Sequence, residues 1–150
     1  IHSESITELM VEVLRDGIIT HGHPRALLGA KCYAYTLNYL LKKNEVLKYG
    51  EIVSAVLDGQ KIWGHIPDFD VLNEWKSLAV EKSGYDYIAV WNETVSYMVK
   101  QLIYIQDALN KGLMEDDRKV FSNLECFSKT NGAGDVAVSY GYLFNIKICE

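Results

Sequence analysis

The feature that most constrains the fold is a series of apolar side chains that recur at spacings of three and four residues. Its members are Ile88, Trp91, Val95, Met98, Leu102, Ile105 and Leu109. This spacing puts them on one face of an α-helix of about 24 residues, which we expect Gly112 to end. A long helix with one apolar face needs neighbouring helices to cover it, so the pattern predicts a helical domain.

Two strong helical patterns occur nearer the N-terminus. The first begins at Ile6, has Ser3 or Ser5 as a candidate N-cap, and is expected to end or loosen at Gly17. The second covers residues 24–43. It opens on proline, which suits the first position of a helix, and it is apolar nearly all round, as is typical of a central, buried helix.

Three shorter patterns complete the helical prediction. They cover residues 51–57, residues 71–79 with Asp68 as the expected cap, and residues 120–124. The segment from Val136 fits either a strand or a helix, and helix is favoured because the preceding patterns are helical. The prediction is an all-α fold, a single helical domain over residues 1–150 in which short loops join antiparallel neighbours.

The composition narrows the class of protein. An apolar share of 49% is too high for a disordered chain, and a net charge of −5 without a basic stripe argues against nucleic acid and membrane surfaces as partners. No apolar run reaches the roughly 18 residues that a membrane span needs. The cysteines at positions 32, 126 and 149 are too widely spaced for a disulfide framework or a zinc site. We therefore expect a cytoplasmic protein.

The loop of sequence THGHPR, residues 20–25, is the first candidate site. It places a hydroxyl, two imidazoles and a guanidinium at the start of a predicted helix, where free N–H groups favour an anion such as a phosphate or diphosphate. The alternative is purely structural: Thr20 caps the helix, and His21 and His23 bond to nearby carbonyl groups. These two histidines alone would not make a zinc site, which needs further ligands.

The loop of sequence KTNGAGD, residues 129–135, is the second candidate site. Its small residues allow a backbone to approach a ligand closely, and consecutive N–H groups can surround an anion. Asp135 is a candidate base, metal ligand or helix cap, and a simple glycine turn with Asp135 as the cap remains the alternative.

Together the two loops resemble the ADP-ribosylglycohydrolase family. The resemblance lies in ITHGHP at residues 19–24, followed by the small-residue helix start ALLGA, and in CFSKTNGAGDVAV at residues 126–138. It implies an all-α fold of orthogonal and antiparallel helices that removes ADP-ribose from modified proteins or related conjugates with paired magnesium ions. By the same resemblance, His21 contacts the substrate, and His23, Asn131 and Asp135 are further substrate-binding candidates.

The sequence departs from the family at its metal ligands. It lacks the family's threonine–aspartate–aspartate cluster, and Ala137 and Val138 stand where the second motif needs ligands. The chain also starts at Ile1 rather than at methionine. We therefore expect either the interior of a larger domain of this family or a degenerate member. The chain as given is expected to be inactive, with no assigned catalytic residue and no metal ligand, although magnesium is the cofactor of the family.

Two other functions remain open. The sequence TNGAGD at residues 130–135 also matches the signature of ribokinase-like sugar and nucleoside kinases, in which Asp135 would deprotonate a hydroxyl before phosphoryl transfer. That signature normally follows strands of an α/β sheet, which this sequence does not predict. The third hypothesis is a non-catalytic helical module that binds a nucleotide-like ligand or a protein partner, and the missing metal ligands favour it.

Overall fold

The computed structural model describes residues 5–111, which form six α-helices and no strand. The helices are α1 (Ile6–Thr20), α2 (Pro24–Lys42), α3 (Glu51–Asp58), α4 (Gln60–Trp63), α5 (Asp70–Ser83) and α6 (Tyr87–Asn110). The all-α prediction is confirmed over this part of the chain. The predicted helices at residues 120–124 and from Val136, and the predicted stop at Gly112, lie outside the described residues. None of the helices of residues 5–111 is long and apolar enough to cross a membrane.

Helix α6 has the predicted length, 24 residues. Its apolar face is buried from Trp91 through Leu109, while its first buried side chain is Tyr87 and Ile88 is exposed. The face was therefore predicted correctly except at its first residue. Helix α2 packs against α1, α3, α4 and α6 and is central, as predicted. It is not buried all round, because Tyr33, Leu37 and Leu41 are exposed.

Helix α1 begins as predicted and ends later than predicted. The Ser5 hydroxyl accepts a hydrogen bond from the Thr7 N–H, so Ser5 is the N-cap. Gly17 does not end the helix, which continues to Thr20. A Cβ atom at Gly17 would lie 2.8 Å from Cδ2 of Leu27 on α2. Glycine at this position lets α1 and α2 approach closely, a reason that sequence spacing alone does not reveal.

The segment between α3 and α5 differs from the prediction in two ways. Asp68 does not cap α5, whose N-cap is Phe69; the Asp68 carboxylate instead accepts a hydrogen bond from the Asn73 amide at 2.6 Å. Helix α4, a single turn, was not predicted. It buries Trp63, whose indole N–H donates to the Val56 carbonyl at 2.7 Å. Burying this side chain holds the short helix in place, because an isolated turn has little stability of its own.

Candidate functional site

The THGHPR loop forms the tight connection between α1 and α2. Thr20 is the last residue of α1, and its hydroxyl donates to the Gly17 carbonyl at 3.4 Å, so it does not cap α2. His21 follows as the C-cap residue of α1; its backbone N–H donates to the Gly17 carbonyl at 2.8 Å, and its side chain is exposed. The His21 imidazole is therefore available to a ligand.

His23 has a structural role at the start of α2. Its Nδ1 accepts a hydrogen bond from the Arg25 N–H at 3.2 Å, which makes the imidazole the N-cap of the helix. This bond requires an unprotonated Nδ1. Two effects lower the pKa of His23: partial desolvation, which is the larger, and the positive charge of the nearby Arg25 guanidinium. Both effects favour the neutral ring that the cap needs.

The free N–H groups expected at the start of α2 already have partners. Pro24 has no N–H, the Arg25 N–H donates to His23, and the Ala26 and Leu27 N–H groups both donate to the His23 carbonyl at 3.1 and 3.2 Å. An anion bound at this turn would therefore rely on side chains such as His21 and Arg25. In this conformation the helix end is capped by its own chain.

Aromatic side chains of α5, of α6 and of the segment between them pack against the turn. The Tyr87 hydroxyl donates to the Gly22 carbonyl at 2.9 Å, and Tyr87 is buried. A Cβ atom at Gly22 would lie 2.7 Å from the Trp75 ring, so only glycine fits there without movement of the indole. The His23 ring lies 5.4 Å from that of Tyr85. The turn is thus a supported loop that carries two exposed imidazoles beside aromatic rings.

The other two predicted site residues, Asn131 and Asp135, lie outside the described residues. The structure therefore neither joins them to the histidine turn nor separates them from it. Within residues 5–111, no three histidine, cysteine or acidic side chains are grouped as metal ligands. This part of the chain does not fit the paired magnesium site of the glycohydrolase resemblance.

A groove of ≈ 340 Å³ lies between α1, α2 and α4 and is lined in part by Tyr39 and Lys43. The polar ends of both side chains donate to the Glu51 carboxylate, which also accepts the Lys48 N–H at 2.8 Å. These bonds lower the pKa of Glu51 to about 2, with the Lys43 bond as the largest cause. The network ties the loop before α3 to α2, so we read these groups as structural.

A smaller pocket contains a feature that sequence reasoning missed. Lys31, in the middle of α2, is only 1% exposed. Its ammonium donates to the His65 carbonyl and lies 5.4 Å from the centroid of the Trp91 ring. Desolvation lowers the pKa of this lysine to about 8. In the sequence, the apolar residues around Lys31 were the available signal, because a charge within such a stretch is either exposed or specifically accommodated.

Residues 5–111 thus form an all-helical fold with a supported histidine turn and a buried lysine. No family model matches the chain, and no curated protein or solved structure matches it either.

Proposed function

We propose that this chain is an ADP-ribose-binding helical domain of ADP-ribosylglycohydrolase type that does not hydrolyse its ligand by itself. One observation carries the binding proposal. Tyr87 and Trp75 hold the turn at residues 21–23 in place, while the side chains of His21 and His23 remain exposed. A loop held in one conformation loses little entropy when a ligand binds to it.

The chemistry of the turn suits a nucleoside diphosphate sugar. The imidazole of His21 and the guanidinium of Arg25 can donate hydrogen bonds to phosphate or ribose oxygens. Trp75 is 37% exposed, and it and Tyr85 supply aromatic rings beside the turn on which an adenine base can stack. The proposal of no hydrolysis by this chain rests on the sequence, which lacks the carboxylates that would hold a magnesium pair.

The test is calorimetric titration of ADP-ribose into the full chain, with and without magnesium. We expect binding that is indifferent to magnesium and that weakens about tenfold or more in His21→Ala, the loss of one charge-assisted hydrogen bond. Lys100→Ala is the control, because it removes an exposed polar side chain of α6 that belongs neither to the turn nor to the Lys31 pocket. It should bind as the unmodified chain does.

Three outcomes would contradict parts of this proposal. Absence of binding in both buffers would overturn ADP-ribose as the ligand. Binding that strengthens with magnesium, together with release of free ADP-ribose from a modified protein, would show that the chain holds its own metal ligands and is an enzyme. Binding unaffected by His21→Ala would place the ligand elsewhere than the turn.

The second candidate function is a helical module that binds a protein partner. It is favoured by the exposed apolar side chains on α5, where Val71, Leu78 and Val80 are each at least 41% exposed. The same titration discriminates between the two, since a module of this kind would give no heat with ADP-ribose.

A further inference from the structure

The Lys31 ammonium is buried without an acidic partner among the described residues. Its contacts there are one hydrogen bond to the His65 carbonyl and the face of the Trp91 ring. An ammonium has three N–H donors, so two remain to be satisfied. Neutral partners of this kind compensate only part of the loss of hydration, because a buried charge is normally paired with a charge of opposite sign.

The surroundings of Lys31 add positive charge. It lines a pocket of ≈ 130 Å³ between α1, α2, α4 and the loop after α4, together with Lys61, His65 and Thr7. The other lining residues from the described part of the chain are apolar, and no acidic side chain of residues 5–111 is among them. Two lysines, a histidine and a hydroxyl around one pocket are an arrangement that attracts anions and repels cations.

The size of the pocket limits what can enter. At ≈ 130 Å³ the space holds several water molecules. A phosphate or carboxylate group fits this volume. Thr7, Lys61 and His65 are exposed residues, while Met10 and Lys31 are buried. The pocket is therefore open to solvent on the side of these three residues, and Lys31 forms part of its buried wall.

We propose that this pocket is a binding site for a small oxyanion, a phosphate or a carboxylate group, whose counter-charge is the Lys31 ammonium. The site is separate from the histidine turn, because residue 31 lies eight positions after residue 23, about 12 Å along α2. A bound anion would accept hydrogen bonds from the ammonium and supply the missing negative charge. Lys61 attracts the anion to the mouth of the pocket.

The titration of Lys31 supports the same assignment. Desolvation is the cause of its lowered pKa, and no acidic group of residues 5–111 acts in the opposite direction. Among residues 5–111, the ionisable groups that share its pocket are Lys61 and His65, and Tyr87 stacks on Trp91. None of them is an anion at neutral pH. A bound oxyanion would therefore raise the pKa of Lys31 back towards its ordinary value.

The test is calorimetric titration of inorganic phosphate into the full chain at pH 7 and constant chloride concentration, with acetate in a parallel series. We expect one site for phosphate, acetate or both. Binding should be lost in Lys31→Met, which keeps most of the side-chain volume, and weakened several-fold in Lys61→Ala. Lys100→Met is the matched control, because it removes an exposed lysine of α6; its binding should be unchanged.

A second measurement does not depend on any variant. In the unmodified chain, the carbon-13 shift of the Lys31 methylene next to the ammonium is followed against pH, with and without the anion that binds. We expect the pKa to move upward when the anion is present. Comparing the phosphate titration with the acetate titration then identifies which oxyanion the pocket prefers. ADP-ribose binding that survives Lys31→Met would show that the pocket and the turn are independent sites.

The proposal is overturned if neither phosphate nor acetate binds to the unmodified chain. It is also overturned if Lys31→Met binds the anion as tightly as the unmodified chain does, or if the pKa of Lys31 is the same with and without the anion that binds.

Discussion

The histidine turn and the Lys31 pocket both contain basic side chains, but those of the turn are exposed to solvent whereas the Lys31 ammonium is buried. In the turn, the backbone N–H groups have partners within the chain, and the imidazoles of His21 and His23 are exposed. In the pocket, the Lys31 ammonium is removed from water and receives one carbonyl and one indole face. Fold stability and ligand binding therefore oppose each other in the pocket but not in the turn.

The largest expected effect is therefore a gain in stability when Lys31 is replaced. Burial lowers its pKa from 10.5 to about 8. At about 1.4 kcal/mol per pKa unit, the buried charge costs about 3 kcal/mol at pH 7. Lys31→Met should raise the free energy of unfolding by roughly that amount in phosphate-free buffer, measured by urea denaturation. Lys100→Met, at an exposed position, should stay within about 0.5 kcal/mol of the unmodified chain.

The same lysine gives a pH dependence with a definite sign. Since its folded pKa is lower than its unfolded one, the unfolded chain holds the proton more tightly between about pH 8 and 10.5. The free energy of unfolding of the unmodified chain therefore rises with pH in this window, and the gap to Lys31→Met narrows. Comparing the two chains removes the tyrosine contributions, which they share. A gap that is constant from pH 7 to pH 10 would contradict a buried, titrating lysine.

The next effect concerns the support of the turn. In Gly22→Ala, the new Cβ would lie 2.7 Å from the Trp75 ring, and the turn and the indole would have to separate. Overpacking of this kind costs about 1–3 kcal/mol. Combining Gly22→Ala with Trp75→Leu should recover part of that loss, which a double-mutant cycle by urea denaturation measures. Strictly additive effects would mean that the glycine is required for a reason other than the indole.

Much of the fold could be predicted from the sequence because long helices repeat their signal. Helix α6 presents its apolar face over six turns, and α2 has proline at its first position. The exposed histidine turn was predicted for a related reason: polar residues between two apolar helices mark a loop without reference to distant parts of the chain.

The features that could not be predicted depend on contacts between distant residues. Gly17 is read locally as a helix end, but Leu27 on the next helix requires its small size. Helix α4 is too short to show a period, and it depends on the burial of Trp63. Lys31 interrupts an otherwise apolar pattern, and the local sequence does not show what surrounds its charge. Its burial is decided by the carbonyl of His65 and the ring of Trp91, which lie 34 and 60 positions further along the chain.

The smallest expected effect separates the two roles of His23. His23→Ala removes the N-cap of α2 and should cost about 1 kcal/mol. His23→Asp keeps a cap, because a carboxylate oxygen also accepts the Arg25 N–H, and should retain most of the stability. If the imidazole contacts ADP-ribose, as we propose, both variants lose affinity by calorimetry, and aspartate loses more because it repels the diphosphate. If His23 only caps the helix, the aspartate variant binds as the unmodified chain does.

The free energy of unfolding at acidic pH provides an independent test of the capping role. The lowered pKa of His23 means that its contribution to stability is present above about pH 6.5 and is lost as the pH falls below that value. His23→Asp should lack this acid-side loss, and an identical decline in both chains would show that protonation of His23 does not open the cap.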